Sequence, residues 1–190
     1  VTIVPRGKAL GAAWYLPEER QITTKDQMLD EMCSLLGGRA AEEVFLEHIS
    51  SGAMNDLERV TKQAYAMISY MGMSEKMPNL SYYDSTGQSY GFTKPYSEET
   101  ALLIDNEVQD MISVQYERAK ELLRQQETGH NELAELLIER EVIYAEDLKR
   151  IFGERPWKSR SDEIMEEAEE IVTEGLHSEE RKEDKKDNDD

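Results

Sequence analysis

The stretch from Thr24 to Phe45, "TKDQMLDEMCSLLGGRAAEEVF", carries the signals that decide the fold. Its first four residues have the form of a capping box, in which Thr24 accepts a hydrogen bond at a helix start and the Gln27 side chain accepts one in return. The apolar residues that follow at helical spacing are Met28, Leu29, Met32, Leu35 and Leu36. This pattern predicts an amphipathic helix with one buried face.

Gly37 and Gly38 interrupt the same pattern. Two glycines inside a helix cost about 2 kcal/mol relative to alanine. Either the helix ends at this point, or the glycines allow another backbone to approach closely. Because two alanines extend the small surface and the apolar period resumes at Val44, we favour a continuous helix with a close approach.

Helical patterns also dominate the rest of the chain. A helix is expected after Ser51, and a longer one from Ser97 to about Gln126. The pattern of residues 130–153 predicts two shorter helices with a turn near Val142. The turn-forming and aromatic residues of 78–96 predict an irregular loop or a small hairpin. The fold class is therefore mainly α, a helical bundle.

A short β element precedes these helices. Val1, Thr2, Ile3 and Val4 form a β-branched run that Pro5 and Gly7 interrupt, and apolar residues resume up to Pro17. Proline is tolerated at the edges and ends of strands, so we expect a small β edge hairpin. Its backbone either pairs with an extended peptide or only packs on the helices.

The composition limits the possible functions and divides the chain. A formal net charge of −19 over 190 residues excludes binding to the nucleic-acid backbone. The single cysteine, Cys33, excludes an internal disulfide and is expected to be buried as a small apolar residue. Residues 162–190 contain 14 Asp or Glu against 4 Lys or Arg. We therefore expect a folded domain over 1–160 and a disordered acidic tail over 161–190.

Asp56 is the acid that the helical pattern does not explain. In "SSGAMNDLERVTK", residues 50–62, it lies beside the apolar stripe, about 70° from its centre. A half-buried carboxylate needs a cation, hydrogen-bond donors or a metal ion as a partner. Alternatively, Asp56 only stabilises the positive end of the helix macrodipole. The three histidines of the chain, His48, His130 and His177, are widely separated and form no H-x-x-x-H motif.

Five segments in order, "VTIVPRGKALG", "LPEER", "LGGRAAEEVF", "SSGAMNDLERVT" and "YMGMSEKM", together resemble the protease domain of the FtsH family. Its members are membrane-anchored, ATP-dependent zinc metalloproteases. The resemblance implies an endopeptidase that degrades unfolded and membrane proteins with a zinc-activated water. In this family an H-E-x-x-H helix supplies two zinc-binding histidines and the general base, and the resemblance gives Asp56 the role of the third Zn²⁺ ligand.

The resemblance also implies further residues and partners. Val1, Thr2, Ile3 and Val4 correspond to a segment of the family's cleft where substrate pairs. Glu42 and Glu43 are candidates for contacts to the zinc-binding histidines, or else ordinary acids of the helix surface. The parent is expected to be a homohexamer that uses ATP and Mg²⁺ and lies at the cell membrane, with its protease domain on the cytoplasmic side.

The family's H-E-x-x-H helix and ATPase module lie upstream of the segment that corresponds to "VTIVPRG". We therefore expect this polypeptide alone to be inactive and to bind zinc poorly. The alternative function is a non-catalytic helical module for oligomerisation or interaction.

Overall fold

The computed structural model describes residues 1–7, 11–14, 22–83 and 95–154. Within these residues nearly all regular structure is helical, which confirms the predicted mainly α fold. In chain order the helices are α1 (Lys25–Leu46), α2 (Met54–Ser69), α3 (Glu98–Gln125), α4 (Glu127–Arg140) and α5 (Ala145–Phe152). A turn of 3-10 helix, Ser51–Ala53, leads directly into α2.

The described residues separate into two compact units. Helices α1, α2 and α3 belong to the first, which lies within residues 21–131. Segments near both ends of the chain form the second. The predicted boundary between the domain 1–160 and the acidic tail 161–190 lies outside the described residues and stays a prediction.

The capping box of α1 is formed as predicted. The Gln27 N–H donates to the Thr24 hydroxyl oxygen at 3.3 Å, and the Thr24 N–H donates to the Gln27 side-chain oxygen at 3.0 Å. At the start of α3, the Ser97 hydroxyl accepts from the Thr100 N–H at 3.2 Å. These bonds satisfy N–H groups that have no partner inside the helix.

An apolar core joins α1, α2 and α3. All five apolar residues predicted for the buried face of α1 belong to this core or pack against it. Its largest side chains with under 2% exposure are Met32, Leu36, Val60, Met67, Ile68 and Ile104. Each such side chain contributes roughly 1.5–3 kcal/mol on burial. Cys33 is buried as predicted, and burial raises the pKa of its thiol.

The prediction of a close approach at Gly37 and Gly38 is wrong for the described part of the chain. Helix α1 runs through both residues, as expected, but apart from α1's own backbone and adjacent residues no described atom lies within 4 Å of the place where either Cβ would be. The core contact instead uses Ala40, whose side chain is fully buried. The glycines lie away from the face that packs.

Glu43, Tyr116 and Lys120 form a polar link between α1 and α3. The Tyr116 hydroxyl donates to one carboxylate oxygen of Glu43, and Lys120 Nζ lies 3.0 Å from the other. Burial, together with the bond to Glu43, raises the pKa of Tyr116 to about 12. The Tyr116 bond is the main cause that lowers the pKa of Glu43, and bonds to Glu117 and then Glu43 raise the pKa of Lys120.

The segment after α2 is irregular over its described residues, in agreement with the predicted loop. The Tyr82 N–H donates to the Ser69 carbonyl oxygen at 2.7 Å. The Tyr82 and Tyr96 rings pack edge-to-face with 4.9 Å between their centroids. The prediction for residues 84–94 lies outside the described part of the structure.

Thr2 is the centre of the β pairing in the second unit. It forms isolated antiparallel bridges with Ala12 on one side and with Val142 on the other. Thr2 and Ala12 exchange hydrogen bonds of 2.8 and 2.9 Å, and the Ile3 N–H donates to the Glu141 carbonyl oxygen at 3.0 Å. Because Thr2 has a neighbour on both sides, the predicted edge position is not confirmed. The predicted turn near Val142 is present between α4 and α5.

We predict that Gly11→Ala disrupts the bridge between Thr2 and Ala12. A Cβ at Gly11 would lie 2.6 Å from the Thr2 carbonyl oxygen, which is backbone and cannot rotate away. Overpacking of this kind costs roughly 1–3 kcal/mol. Amide hydrogen exchange should show faster exchange at Thr2 and Ala12. Gly38→Ala is the matched control, because that Cβ meets no described atom beyond its own stretch of α1 and alanine favours the helix. Unchanged protection in Gly11→Ala would contradict the prediction.

We also predict a specific loss of stability at alkaline pH. Since the pKa of Tyr116 is raised to about 12 from 10, its contribution to stability is complete below pH 10 and is lost as the pH rises toward 12. Tyr116→Phe should be less stable at neutral pH but should lose less stability across this interval. Urea denaturation at stepped pH measures both effects. Tyr83→Phe, at a residue that is 66% exposed, should follow the wild type.

Candidate functional site

Asp56 lies in the first turn of α2 and is half-buried, as the helical period predicts. Within the described residues, its carboxylate accepts no hydrogen bond and forms no ion pair. The position at the N-terminus of α2 is one where a negative charge stabilises the helix. Stabilisation of the helix macrodipole is therefore one role that this position gives to Asp56, and its role as a zinc ligand stays a prediction.

A short polar turn fixes where α2 begins. The Ser50 hydroxyl accepts from the Gly52 N–H at 3.1 Å and so caps the 3-10 helix Ser51–Ala53. The Met54 N–H then donates to the Ser51 carbonyl oxygen, and the chain continues into α2 without a break. A Cβ on Gly52 would lie 3.3 Å from the Ser50 hydroxyl oxygen, tighter than most contacts of this kind. Glycine therefore suits the turn.

Glu42 on α1 holds this turn through both of its carboxylate oxygens. One oxygen accepts from the Ser50 N–H at 3.0 Å, and the other accepts from the Ser50 hydroxyl. The hydroxyl bond and then the backbone bond lower the pKa of Glu42, and the nearby charges of Arg39 and His48 act in the same direction. We name the three residues Glu42, Ser50 and Gly52 the Glu42–Ser50 network.

The described histidines lie in other environments. His48 Nδ1 is 2.5 Å from the Leu46 carbonyl oxygen, and the His130 ring stacks on Phe45 with 4.1 Å between centroids. Glu42 bonds to the turn before α2, and Glu43 bonds to α3. Their proposed contacts to zinc-binding histidines stay a prediction. His177 lies outside the described residues.

Asp56 alone is an incomplete donor set for zinc. A zinc site uses three or four protein ligands, and a short carboxylate is a suitable one. Among the residues that the structure describes, no group of three His, Cys, Asp or Glu is placed to hold a metal ion. These residues therefore fit one ligand position and do not by themselves build a zinc site.

The segment Val1–Val4 belongs to the second compact unit. Thr2 is buried, whereas Ile3 is 42% exposed. The Val1 backbone is paired with Ile143, and the Thr2 and Ile3 N–H groups donate to Ala12 and Glu141. Much of the backbone of this segment is thus already bonded within the chain.

No helix in the described ranges is both long enough and apolar enough to span a bilayer.

The chain matches known proteins over most of its length. The family model described as "Peptidase family M41" matches residues 1–151. A protein of Parabacteroides distasonis named "ATP-dependent zinc metalloprotease FtsH" is 70% identical over 87% of this chain. A protein of the same name from Karelsulcia muelleri is 52% identical over 80%. "ATP-dependent zinc metalloprotease FTSH 3, mitochondrial" of Arabidopsis thaliana is 49% identical over 84%.

The matched regions make up 24%, 24% and 20% of these three relatives, so the chain spans about a fifth to a quarter of their length. The family match extends from the β pairing around Thr2 through the Glu42–Ser50 network and α2 to α5. It confirms the resemblance to the FtsH protease domain, and the chain belongs to peptidase family M41.

Proposed function

We propose that this chain is part of a zinc metalloendopeptidase that cuts unfolded and membrane proteins with the help of ATP. The observation that carries the proposal is the family match over residues 1–151. The relatives whose names state this activity share 49–70% identity with the chain. The activity requires the whole protein, of which the chain represents a part.

In this proposal Asp56 is a zinc ligand. Its carboxylate is half-buried and has no partner among the described residues, which leaves its oxygens available to a metal ion. The other two ligands and the general base would come from residues outside the described part of the chain. As a separate polypeptide, with Asp56 as the proposed donor among the described residues, the chain would bind zinc poorly and would not hydrolyse peptides.

The β pairing of Thr2 determines which backbone groups near Val1–Val4 could bind a substrate. Thr2 and Ala12 form a hydrogen-bonded antiparallel pair, so the backbone groups of Gly11 and Ala13 point away from Thr2. Those outward groups suit an added peptide strand. We propose that Val1–Val4 supports this strand while the backbone of residues 11–13 pairs with the substrate.

The wider partners are part of the same proposal. The parent would assemble as a homohexamer and use ATP and Mg²⁺ to move substrates. It would be held at the cell membrane with this domain on the cytoplasmic side. The support for these partners is the resemblance to the FtsH family together with the family match.

The second candidate is a non-catalytic helical module for oligomerisation or interaction. The observation that favours it is the absence of a three-ligand group among the described residues. Zinc analysis of the full-length protein separates the two. A stoichiometric zinc ion supports the protease, and a metal-free, peptidase-negative protein supports the module.

We predict that Asp56→Ala in the full-length protein lowers zinc affinity by more than about 10-fold, because loss of a ligand exceeds the usual effect of an outer contact. Peptidase activity should fall with it, while helix content by circular dichroism should not. Glu58→Ala is the control, since that exposed acid of the same helix pairs only with Lys62 among the described residues. Normal zinc stoichiometry in Asp56→Ala would reject the ligand role.

The strand proposal has its own test. Ala13→Pro removes the outward N–H at residue 13 and should raise KM for an unfolded protein substrate several-fold without changing zinc content. Ala13→Val keeps the N–H and favours an extended backbone, so its KM should stay near the wild-type value. Equal KM values for the two variants would show that this edge does not pair with substrate.

A further inference from the structure

We infer that Glu42 is a positioning residue: through Ser50 it sets the start of α2 and hence the place of the Asp56 carboxylate. This inference rests on the proposed function, because only there is Asp56 a zinc ligand. It gives Glu42 a role that needs no contact with the metal ion or with a histidine.

The hydrogen bonds form a continuous connection from α1 to α2. Glu42 accepts two bonds from Ser50, one from its N–H at 3.0 Å and one from its hydroxyl. Because the hydroxyl proton is directed to Glu42, the Ser50 oxygen presents a lone pair to the Gly52 N–H, 3.1 Å away. Glu42 therefore fixes both the backbone and the rotamer of the residue that caps the 3-10 helix.

Apolar burial does not fix this turn. From Leu46 to Asp56, Ala53 is the one residue that is buried, and Leu46 and Ile49 are 58% and 60% exposed. The connection starts at Glu47, which has a left-handed backbone with φ of 57°. With few buried contacts to hold it, the geometry of the turn depends on its hydrogen bonds.

The side chain of Glu42 is mostly buried and has a cation beside it. It is 23% exposed, and Arg39 Nε lies 4.0 Å from one of its oxygens. Its neighbour Glu43 points to α3 and bonds to Tyr116 and Lys120. The two adjacent acids of α1 thus bond to different elements, Glu42 to the turn before α2 and Glu43 to α3.

The test is a double-mutant cycle in the full-length protein with Glu42→Ala, Ser50→Ala and the double variant. Zinc affinity is measured by competition with a chromogenic chelator, and hydrogen exchange is measured at the Gly52 amide. Each single variant should weaken zinc binding by about 10-fold, the lower end for contacts behind a ligand. The double variant should be no weaker than either single one, because both remove the same connection. Exchange at Gly52 should accelerate in all three.

Two further variants sharpen the test. Glu42→Gln keeps one acceptor oxygen and should recover part of the zinc affinity. Glu58→Ala, at an exposed acid that pairs with Lys62 among the described residues, should leave both zinc affinity and Gly52 exchange near wild-type values.

The inference is overturned if Ser50→Ala leaves zinc affinity unchanged while Glu42→Ala lowers it, because Glu42 would then act on the metal site directly. Additive losses in the double variant, or unchanged Gly52 exchange in Glu42→Ala, would overturn it as well. Failure of the proposed function has a different signature. In that case Asp56→Ala binds zinc normally, while Glu42→Ala still accelerates Gly52 exchange.

Discussion

Burial of one face of α1 is the constraint on which the first unit depends. Met32, Leu36 and Ala40 lie at successive turns of α1 with exposures of 0–1%, in the core that α2 and α3 complete. Without this face the three helices have no common core. The polar connections lie around it: Glu43 links α1 to α3, and Glu42 links α1 to the start of α2. Helix α1 therefore supports both the packing and the candidate site.

Local signals were predictable from the sequence, since a capping box or a helical stripe depends on residues within a few positions. The caps at Thr24 and Ser97 and the half-buried position of Asp56 follow from such signals. The surroundings of Gly37 and Gly38 did not follow from such signals. Helix propensity gives the energetic cost of a glycine but not which neighbour, if any, lies against it.

Features that join distant residues were not predictable. The second neighbour of Thr2 lies 140 positions away at Val142, and no pattern around Thr2 indicates it. The bond from Glu42 to Ser50 spans eight residues, but it depends on how the exposed connection between them turns back. For the same reason the sequence could identify Asp56 as unusual and could not supply its partners.

The pairing of Thr2 with Val142 has a consequence for the order of folding during synthesis. Val1 bonds to Ile143 across 142 positions, so this β pairing cannot form until almost all of residues 1–143 have left the ribosome. Closing so long a loop in an unfolded chain costs about 4 kcal/mol of chain entropy. The helices α1 to α3 lie between the paired segments, so all three leave the ribosome before Val142 does. The segment Val1–Val4 therefore stays unpaired on its Val142 side until α4 and the turn after it have emerged.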